Sequence, residues 1–364
     1  MKKAILISSL VVVLIVSLIL SACSKPEPTK PIELSFNDYF PPVHSQAKVY
    51  QLWADEVGKR SNGRLIITHY SGAQLAPPPE CLDSVISGIA DIAIVAPSYH
   101  PGRLTSFEAI ELPSGFKTGS VSCMVNMDFL NKYRSIKEVE MVHLLRADGH
   151  GPAMFQTHSK PLRTLEDFKG VVIRGNSTGN AITKALGGTG YGASIREAYE
   201  LLSKGVVEGT YNPPEAMFGF KLAEVVKYVT NTAESIGNGS CQLIAMNKDK
   251  WNSLPSDLQK ILTEVSEEFA TYHGYAWDYD DIMGFDLFQS LGGGREIIQL
   301  SASEKARWME AAGTYVNEYL SNATAMGLPA QEYRDYVLER SDYWNEKAPS
   351  ADESVDWAKA NLPQ

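Results

Sequence analysis

The sequence contains few cysteines and lacks the spacings that hold metals or nucleotides. Three of its four cysteines lie beyond the amino-terminal segment, at Cys81, Cys123 and Cys241, too far apart for a metal-binding motif. An odd number leaves at least one thiol unpaired, while a disulfide between any two of them stays open. The glycines at 188–192 follow a predicted helix and lack dinucleotide-binding spacing. We therefore expect neither a metal ion nor a bound cofactor.

Positive charge is also in short supply. The chain has 33 lysines and arginines against 43 aspartates and glutamates, which gives a net charge of −10. Nucleic acids are bound mainly through basic surfaces, and no basic stretch with interleaved aromatic residues is present. We therefore exclude nucleic acid as a partner, although one buried arginine is enough to bind a small anion. Hydrophobic residues make up 44% and charged residues 21% of the chain, as in globular proteins.

The amino terminus is typical of a bacterial lipoprotein signal. Residues 1–3 include two lysines, residues 4–20 are almost wholly apolar, and residues 20–23 (Leu-Ser-Ala-Cys) form a lipobox. We expect a signal peptide over 1–22, acyl chains on Cys23 and a proline-rich spacer over 23–31. The folded body is then tethered to a membrane face outside the cytoplasm. An uncleaved signal anchor is the alternative, since the apolar run is long enough to anchor the chain.

Periodicity along the rest of the chain predicts alternating strands and helices. The first three strands are expected at 32–36, 65–70 and 91–95, with helices from about 45 and at 80–87 between them. This order favours parallel pairing with right-handed crossovers. Further strands are expected at 141–146, 153–157, 171–173 and 206–211, and helices dominate from 248 onward. The body of roughly 330 residues is large enough for two domains.

Arg174 is the most informative single residue. It stands at the carboxyl end of the predicted strand 171–173, just before Ser177 and Thr178, which can cap the helix that follows. Ligands of open α/β sheets bind beyond the carboxyl ends of strands. A guanidinium there offers a planar fork of donors to a carboxylate, and helix-start amides add positive potential. We interpret Arg174 as an anion anchor; the alternative is a surface arginine paired with a neighbouring acid.

Several segments of the sequence resemble those of the DctP-type solute-binding proteins of TRAP (tripartite ATP-independent periplasmic) transporters. They are 165–170 (Leu-Glu-Asp-Phe-Lys-Gly), 173–174 (Ile-Arg), 185–187 (Ala-Leu-Gly), 197–199 (Glu-Ala-Tyr) and 205–209 (Gly-Val-Val-Glu-Gly), with 61–65, 88–93 and 246–251 on either side. The resemblance runs in order over nearly the whole chain after the signal. It implies a receptor that captures an organic acid and delivers it to membrane permease subunits, with an ion gradient as the energy source.

The resemblance also implies a fold. This is an α/β, two-lobed clamp like the periplasmic binding proteins, with mainly parallel sheets and long C-terminal bracing helices. Lobe I would comprise 32–152 and 239–278, lobe II would comprise 153–238 and 279–310, and 311–364 would form the C-terminal helices. Lobes joined by more than one segment suit a hinged clamp with its ligand at the interface.

Two arguments together indicate the ligand contacts: the resemblance, and the rule that ligands bind beyond the carboxyl ends of strands, which we call the strand-end rule. Asn212 ends the predicted strand 206–211, where the family's asparagine meets the carboxylate beside the arginine, and Asn37 ends the first strand. The loop after the third strand adds further polar side chains at a carboxyl end. An ordinary turn or loop role is the alternative for several of these positions. The full set of expected ligand contacts is Arg174, Asn212, Asn37, Tyr99, His100, Arg103, Phe155, Ser177 and Ile195.

The kind of acid is indicated by apolar residues at positions where some members of the resembled family carry charged or polar side chains. Phe155 occupies a place where acidic-sugar binders of the family carry a second arginine, and prolines at 77–79 and 97 stand where such binders carry charged or polar residues. One cation with apolar walls favours a small-molecule carboxylate with a single carboxyl group and an apolar or aromatic body. A C4-dicarboxylate is the alternative within the family.

Two other classes of function compete with a receptor. Residues 175–179 match Gly-x-Ser-x-Gly between a strand and a helix, as in a nucleophile elbow, so Ser177 would be the nucleophile of a secreted serine hydrolase. His273 is the only histidine after Ser177, and it falls in a predicted helix rather than in a loop at a strand end. A purely structural lipoprotein would need no converging polar groups. We therefore expect a binding protein and not an enzyme.

Overall fold

The computed structural model describes residues 30–363. The predicted signal peptide, Cys23 and most of the predicted spacer lie outside these residues. Within them, no helix is both long and apolar enough to cross a bilayer. In the same range, no group of three or more His, Cys, Asp or Glu side chains is arranged to hold a metal ion.

The described residues contain strands and helices in alternation. The strands are β1 Ile32–Asn37, β2 Leu65–Tyr70, β3 Ile92–Val95, β4 Val142–Asp148, β5 Met154–Thr157, β6 Val172–Gly175, β7 Thr189–Gly192, β8 Gly209–Asn212, β9 Tyr228–Asn231, β10 Gln242–Asn247 and β11 Glu296–Gln299. The α-helices are α1 Ser45–Arg60, α2 Cys81–Ser87, α3 Thr105–Glu108, α4 Gly119–Tyr133, α5 Ser177–Ala185, α6 Ala198–Ser203, α7 Glu215–Gly219, α8 Lys248–Ser253, α9 Ser256–Ser290, α10 Ala302–Ala325, α11 Ala330–Lys347 and α12 Ala351–Asn361. Short 3-10 helices lie at Pro78–Glu80, Pro97–Tyr99, Ala109–Glu111, Lys137–Val139, Leu165–Phe168, Ile195–Glu197 and Leu222–Glu224.

The strands form two sheets. The first has the order β2-β1-β3-β10-β4 and the second the order β11-β9-β5-β8-β6-β7. β1 pairs in parallel with β2 and β3, and β6 pairs in parallel with β7 and β8. β10 and β5 run antiparallel to both of their neighbours, so both sheets are mixed. The molecule is therefore the two-lobed α/β clamp that the sequence predicts.

Most predicted elements agree with the structure, and two need correction. β1, β2 and β3 lie within a residue or two of the predicted strands. β6 extends to Gly175, so Arg174 lies inside the strand rather than after it. β8 begins only at Gly209, and the exposed Val206 belongs to the turn around Gly205, where φ is 66°; the predicted strand start at 206 is therefore wrong. The strands β7, β9, β10 and β11 lie outside the predicted set.

Long C-terminal helices brace both sheets, as predicted. Within α10, Trp308 packs with Phe155 and Phe168 in the core of the second sheet. Three turns later, Tyr319 packs in the cluster beneath the first sheet, together with Tyr333 of α11. Because α10 contributes buried side chains to the cores of both sheets, it connects the two halves of the molecule.

Helix α9 approaches both halves through glycines. A Cβ on Gly274 would lie 2.8 Å from the Cα of Ser120 in α4, which packs with the first sheet. A Cβ on Gly284 would lie 2.0 Å from the carbonyl oxygen of Pro214, which follows β8 of the second sheet. Side chains do not tolerate such distances to backbone atoms, so these two positions require glycine.

A buried ion pair within β4 lies against α9. The Arg146 Nε donates to Asp148 Oδ2 at 3.1 Å, and both side chains are fully buried. Arg146 Nη2 also lies 2.9 Å from His273 Nε2, and the Nδ1 of that ring lies 2.5 Å from Gln46 Oε1. Burial raises the pKa of the Asp148 carboxyl to about 6, although the Arg146 guanidinium opposes this rise. The buried charge of Asp148 therefore depends on its arginine partner.

The three cysteines of the described residues are free and buried. The disulfide that the sequence left open therefore does not form among Cys81, Cys123 and Cys241. Burial raises the pKa of all three thiols, to about 12 for Cys81. These thiols stay protonated at neutral pH and have a structural role.

Candidate functional site

A cavity lies between the two sheets, where strand ends from both halves meet. Its volume is about 60 Å³, and its walls come from the segments after β1, β3, β4 and β8, from β6 and β10, and from α9. Arg174 and Asn212 line it from the second sheet, while Gln242 lines it from the first. A molecule held there would touch both halves of the clamp.

Arg174 is buried in the cavity wall with only 2% of its surface exposed. Its Nε and Nη2 donate to the carbonyl oxygen of Ala193 at 3.0 and 2.8 Å, and Nη1 donates to Asn212 Oδ1 at 2.9 Å. Nη2 also donates to the Tyr99 hydroxyl at 3.0 Å. None of the ion pairs among the described residues involves Arg174. The alternative of a surface arginine paired with an acid is therefore wrong.

Three neighbouring groups keep donors free for a ligand. A guanidinium has five N–H groups, and Arg174 uses four of them within the protein, which leaves one on Nη1. The Tyr99 oxygen accepts from Arg174 and from the Ile195 amide at 3.1 Å, so its own proton is unused. The Asn212 Nδ2 donates one proton to Thr210 Oγ1 and retains a second. Together these unused donors could bind an anionic oxygen.

Aromatic side chains form the apolar part of the wall. The Phe40 ring meets the Trp277 ring edge-to-face with centroids 5.5 Å apart. The centroid of the Phe220 ring lies 6.3 Å from that of Phe40. Tyr39 packs edge-to-face on Tyr99, the hydroxyl of which contacts Arg174. All five rings line the cavity. They provide a surface on which a flat apolar group can pack.

Two acids also line the cavity, and burial favours the protonated form of both. Burial raises the pKa of Glu111 to about 7, while its carboxylate accepts from Thr178 Oγ1 at 2.6 Å and from the Cys241 amide at 3.2 Å. Burial also raises the pKa of Glu215 well above its usual range, and Glu215 lies 2.7 Å from His44 Nε2. Arg174 is the one permanently charged cation in this wall among residues 30–363.

Four of the residues expected from sequence lie together in the wall. Arg174, Asn212 and Tyr99 are joined by hydrogen bonds, and Ile195 contributes both its backbone amide and its buried side chain. They come from β6, β8, the 3-10 helix after β3 and the loop after β7. The carboxyl ends of four strands (β3, β6, β7 and β8) therefore converge here, as the strand-end rule predicts.

The other expected residues lie outside the wall and have structural roles instead. Asn37 is fully buried and bonds the backbone of Leu75 and Ala76, which holds the turn after β2. Arg103 is part-exposed and pairs with Asp83. His100 is buried beside that loop, and desolvation lowers its pKa to about 4. Phe155 belongs to the core of the second sheet, because its side chain points to the side occupied by Phe168 and Trp308.

Ser177 is not arranged as a nucleophile. It begins α5, but the helix is capped by the preceding Asn176, the side chain of which accepts from the Gly179 amide at 2.9 Å. Ser177 therefore does not cap the helix, and it does not line the cavity. His273 is fully buried in α9, with both ring nitrogens committed to Arg146 and Gln46. No described histidine is hydrogen-bonded to Ser177.

Sequence reasoning missed much of the wall. Tyr39 and Phe40 lie within three residues of the end of β1, and His150 lies two residues after β4, so the strand-end rule was a usable signal for all three. Gln242 at the start of β10 and Trp277 in the middle of α9 had no such signal. Both enter the cavity only because the chain returns to the first half after forming the second.

Comparisons with known proteins agree with the fold. A family model described as bacterial extracellular solute-binding protein, family 7, matches residues 36–322. The C4-dicarboxylate-binding periplasmic protein DctP of Rhodobacter capsulatus is 28% identical over 298 residues, which cover 79% of this chain and 86% of the relative.

Two solved structures are similar over most of the chain. A TRAP periplasmic solute-binding protein from Bordetella bronchiseptica, with bound mandelate, has a TM-score of 0.79 and 26% identity, covering 86% of this chain and 99% of that one. A TRAP solute-binding protein from a marine metagenome, specific for aromatic acid ligands and bound to 3-hydroxybenzoate, has a TM-score of 0.80 and 25% identity, covering 87% and 99%.

Proposed function

The chain belongs to the bacterial extracellular solute-binding proteins of family 7, the DctP-type periplasmic receptors of TRAP transporters, and we propose that its ligand is an organic acid with one carboxylate and an aromatic or apolar body. Members of the family bind solutes and are not enzymes, so a hydrolase based on Ser177 is not supported. The acid would be handed to the membrane permease subunits of a TRAP transporter.

One observation carries this proposal. Arg174 is buried in the cavity wall without a carboxylate partner among the described residues, and the donors of Tyr99 and Asn212 converge beside it. A buried charge without an opposite charge is costly, so the site is completed by an anion from outside. A carboxylate matches the planar donors of a guanidinium better than a point anion does.

Two features favour a single carboxylate over two. The cavity wall holds one permanent cation, and the protonated forms that burial favours for Glu111 and Glu215 supply no second positive charge for another carboxylate. The rings of Phe40, Phe220 and Trp277 suit an apolar body. Among the relatives, the Bordetella protein binds mandelate and the marine protein aromatic acids, whereas the Rhodobacter relative is named for C4-dicarboxylates. The experiment that follows therefore compares aromatic monocarboxylates with C4-dicarboxylates.

We expect benzoate and phenylacetate to raise the thermal unfolding midpoint more than succinate, malate or fumarate at equal concentration. Stabilisation by a ligand grows as RT ln(1 + [L]/Kd), so the ranking of shifts follows the ranking of affinities. The measurement is a thermal-shift series on the folded body. A larger shift with the C4 acids would contradict the monocarboxylate proposal, and no shift with any carboxylic acid would contradict the proposed function itself.

Closure of two lobes around the acid is part of the proposal. The lobe borders expected above, 32–152 with 239–278 and 153–238 with 279–310, are supported by sheet membership. The first sheet draws its strands from 32–148 and 242–247, and the second from 154–231 and 296–299. Closing the lobes would remove water from the Arg174–carboxylate pair and strengthen it.

We also propose that the receptor is anchored through acyl chains on Cys23, on the basis of the lipobox at residues 20–23. The wild-type protein should be found in the membrane fraction with an acylated Cys23 as its first residue, and replacing Cys23 with serine should abolish this acylated species, because it removes the side chain that carries the lipid. Fractionation followed by mass spectrometry of the mature amino terminus measures this. The variant Ser24→Ala is the matched control and should stay with the membrane. A wild-type protein that keeps residues 1–22 and carries no acyl chain on Cys23 would favour the uncleaved signal anchor.

A further inference from the structure

His150 presents an unused acceptor to the cavity. Its Nδ1 lies 2.7 Å from the Gly151 carbonyl oxygen, and because a carbonyl can only accept, Nδ1 must carry the proton. In the neutral ring Nε2 is then a bare acceptor. The ring lines the cavity, and Nε2 has no hydrogen-bond partner among the described residues. Desolvation lowers the pKa of His150 to about 4, so the ring is neutral at physiological pH.

Gln242 presents a second unused polar group to the same cavity. Its side chain lines the wall, is 4% exposed, and has a buried Oε1 without a hydrogen-bond partner. No hydrogen bond among residues 30–363 involves its Nε2 either. Buried side-chain amides are normally paired, because an unpaired one loses its hydration without compensation. The amide therefore lacks both a donor and an acceptor partner.

These two side chains belong together and lie on the opposite sheet from the anion site. Gln242 opens β10 and pairs in register with Asp148, the last residue of β4, while His150 follows two residues later. The His150 amide also donates to the Ser240 hydroxyl at 3.0 Å, which fixes the two segments side by side. Arg174 and Asn212 reach the cavity from the second sheet. A ligand that bridges the sheets would meet the two sites with different ends.

The unused hydrogen-bonding groups of His150 and Gln242 determine which functional group of a ligand suits them. His150 Nε2 requires a donor, and the Gln242 amide can accept a hydrogen bond and donate one. A hydroxyl group is both donor and acceptor, so it can satisfy the two side chains at once. An ether oxygen or a methyl group cannot donate to His150. A second carboxylate would place an acceptor against the His150 acceptor.

We propose that His150 and Gln242 form a specificity site for a hydroxyl group on the ligand, which makes the preferred ligand a hydroxylated monocarboxylic acid. This inference rests on the proposed function, since it assumes that the carboxylate occupies the Arg174 site. His150 and Gln242 are then the residues that distinguish a hydroxy acid from its parent acid. A site built to hydrogen-bond a hydroxyl discriminates strongly against an analogue without it, because its polar groups are left unpaired.

The first test needs no mutation. Calorimetry would compare benzoate with each hydroxybenzoate isomer and each methoxybenzoate isomer, and phenylacetate with mandelate. We expect at least one hydroxy acid to bind the wild-type protein about tenfold or more tightly than both its parent and its methyl ether. The methyl ether keeps the oxygen but loses the donor, so it isolates the bond to His150. Parent acids that bind as tightly as every hydroxy acid, within about twofold, would overturn the inference and leave the proposed function standing.

The second test assigns the preference to the two side chains. His150→Phe keeps a ring beside Trp277 and removes the acceptor, and Gln242→Met keeps the length of the side chain and removes both polar atoms. Each variant should bring the hydroxy acid and its parent to within about twofold of each other. His158→Phe is the matched control, because His158 also lies 2.7 Å through Nδ1 from a backbone carbonyl, that of Val225, but is exposed outside the cavity.

The outcomes separate the inference from the proposed function. His158→Phe should keep the full preference, and thermal unfolding midpoints verify that each variant is folded. Both cavity variants keeping the preference of the wild type would overturn the assignment to His150 and Gln242. Failure of the wild-type protein to bind any of the acids, hydroxylated or not, would overturn the proposed function and this inference with it.

Discussion

Replacing Arg174 with alanine should weaken the binding of an aromatic monocarboxylate by about 30-fold to several thousand-fold, which corresponds to about 2–5 kcal/mol. The reason is that the ligand carboxylate would be buried without its cation, beside donors of Tyr99 and Asn212 that are too few to replace it. Losing one partner of a buried charged pair costs far more than losing an exposed ion pair. Calorimetry on wild type and variant with the acid that gives the largest thermal shift measures the effect.

The controls for this prediction separate geometry from charge. Arg174→Lys should recover only part of the affinity, because an ammonium cannot reproduce the planar set of bonds to Ala193, Asn212 and Tyr99. Arg103→Ala removes a cation that pairs with Asp83 outside the cavity, and it should leave the affinity within about twofold of wild type. A folded Arg174→Ala protein that binds within about threefold of wild type would exclude Arg174 as the anchor.

Replacing Arg146 with methionine should destabilise the fold by about 3–5 kcal/mol near neutral pH, because it leaves the Asp148 carboxylate buried without a partner. Methionine retains part of the packing on Tyr50 and Trp53, over which the guanidinium lies at 5.5 and 5.9 Å. The double variant Arg146→Met/Asp148→Asn should recover much of the loss, since no unpaired charge remains. Urea unfolding of the three proteins decides the point; a double variant as unstable as the single one would attribute the loss to packing.

The pH dependence of this destabilisation has a definite sign. Because the folded pKa of Asp148 is raised to about 6, its contribution to stability is fully present below the unfolded pKa and is lost as the pH rises through about 6. Without Arg146 the pKa rises further, so the loss continues to higher pH. The gap between wild type and Arg146→Met should therefore widen from about pH 5 to about pH 8. Arg163→Met, which breaks an exposed pair with Glu296, should show no such widening.

The sequence determined the strands of the first half and the position of Arg174 well, because both depend on local patterns. Alternating or β-branched runs locate strands such as Leu65–Tyr70, and the strand-end rule then brings Arg174 and Asn212 to one place. The antiparallel strand β10 could not be predicted in the same way. It returns to the first sheet after the whole second sheet has formed, and no local signal records that long-range pairing.

The cavity wall was harder to predict, and Phe155 shows why. Side chains in a strand alternate between two faces, so a shift of one residue changes which face a side chain occupies. Phe155 packs against Phe168 and Trp308 in the core, while the next residue, Gln156, bonds the backbone of Asn212 and Pro213 near the cavity. The expected apolar wall does exist, but Phe40, Phe220 and Trp277 provide it from segments distant in sequence.

The two glycine contacts of α9 hold the helix against both halves of the molecule. The helix has 35 residues and a length of about 52 Å, so it is a stiff rod shared by both halves. At Gly274 its backbone lies against α4, and at Gly284 against the Pro214 carbonyl, and neither contact contains a side chain that can yield. Any bending of α9 between these two contacts would fall in roughly 15 Å of helix. Trp277 lies in that span and also lines the cavity, so flexure of the rod would move a wall of the binding site.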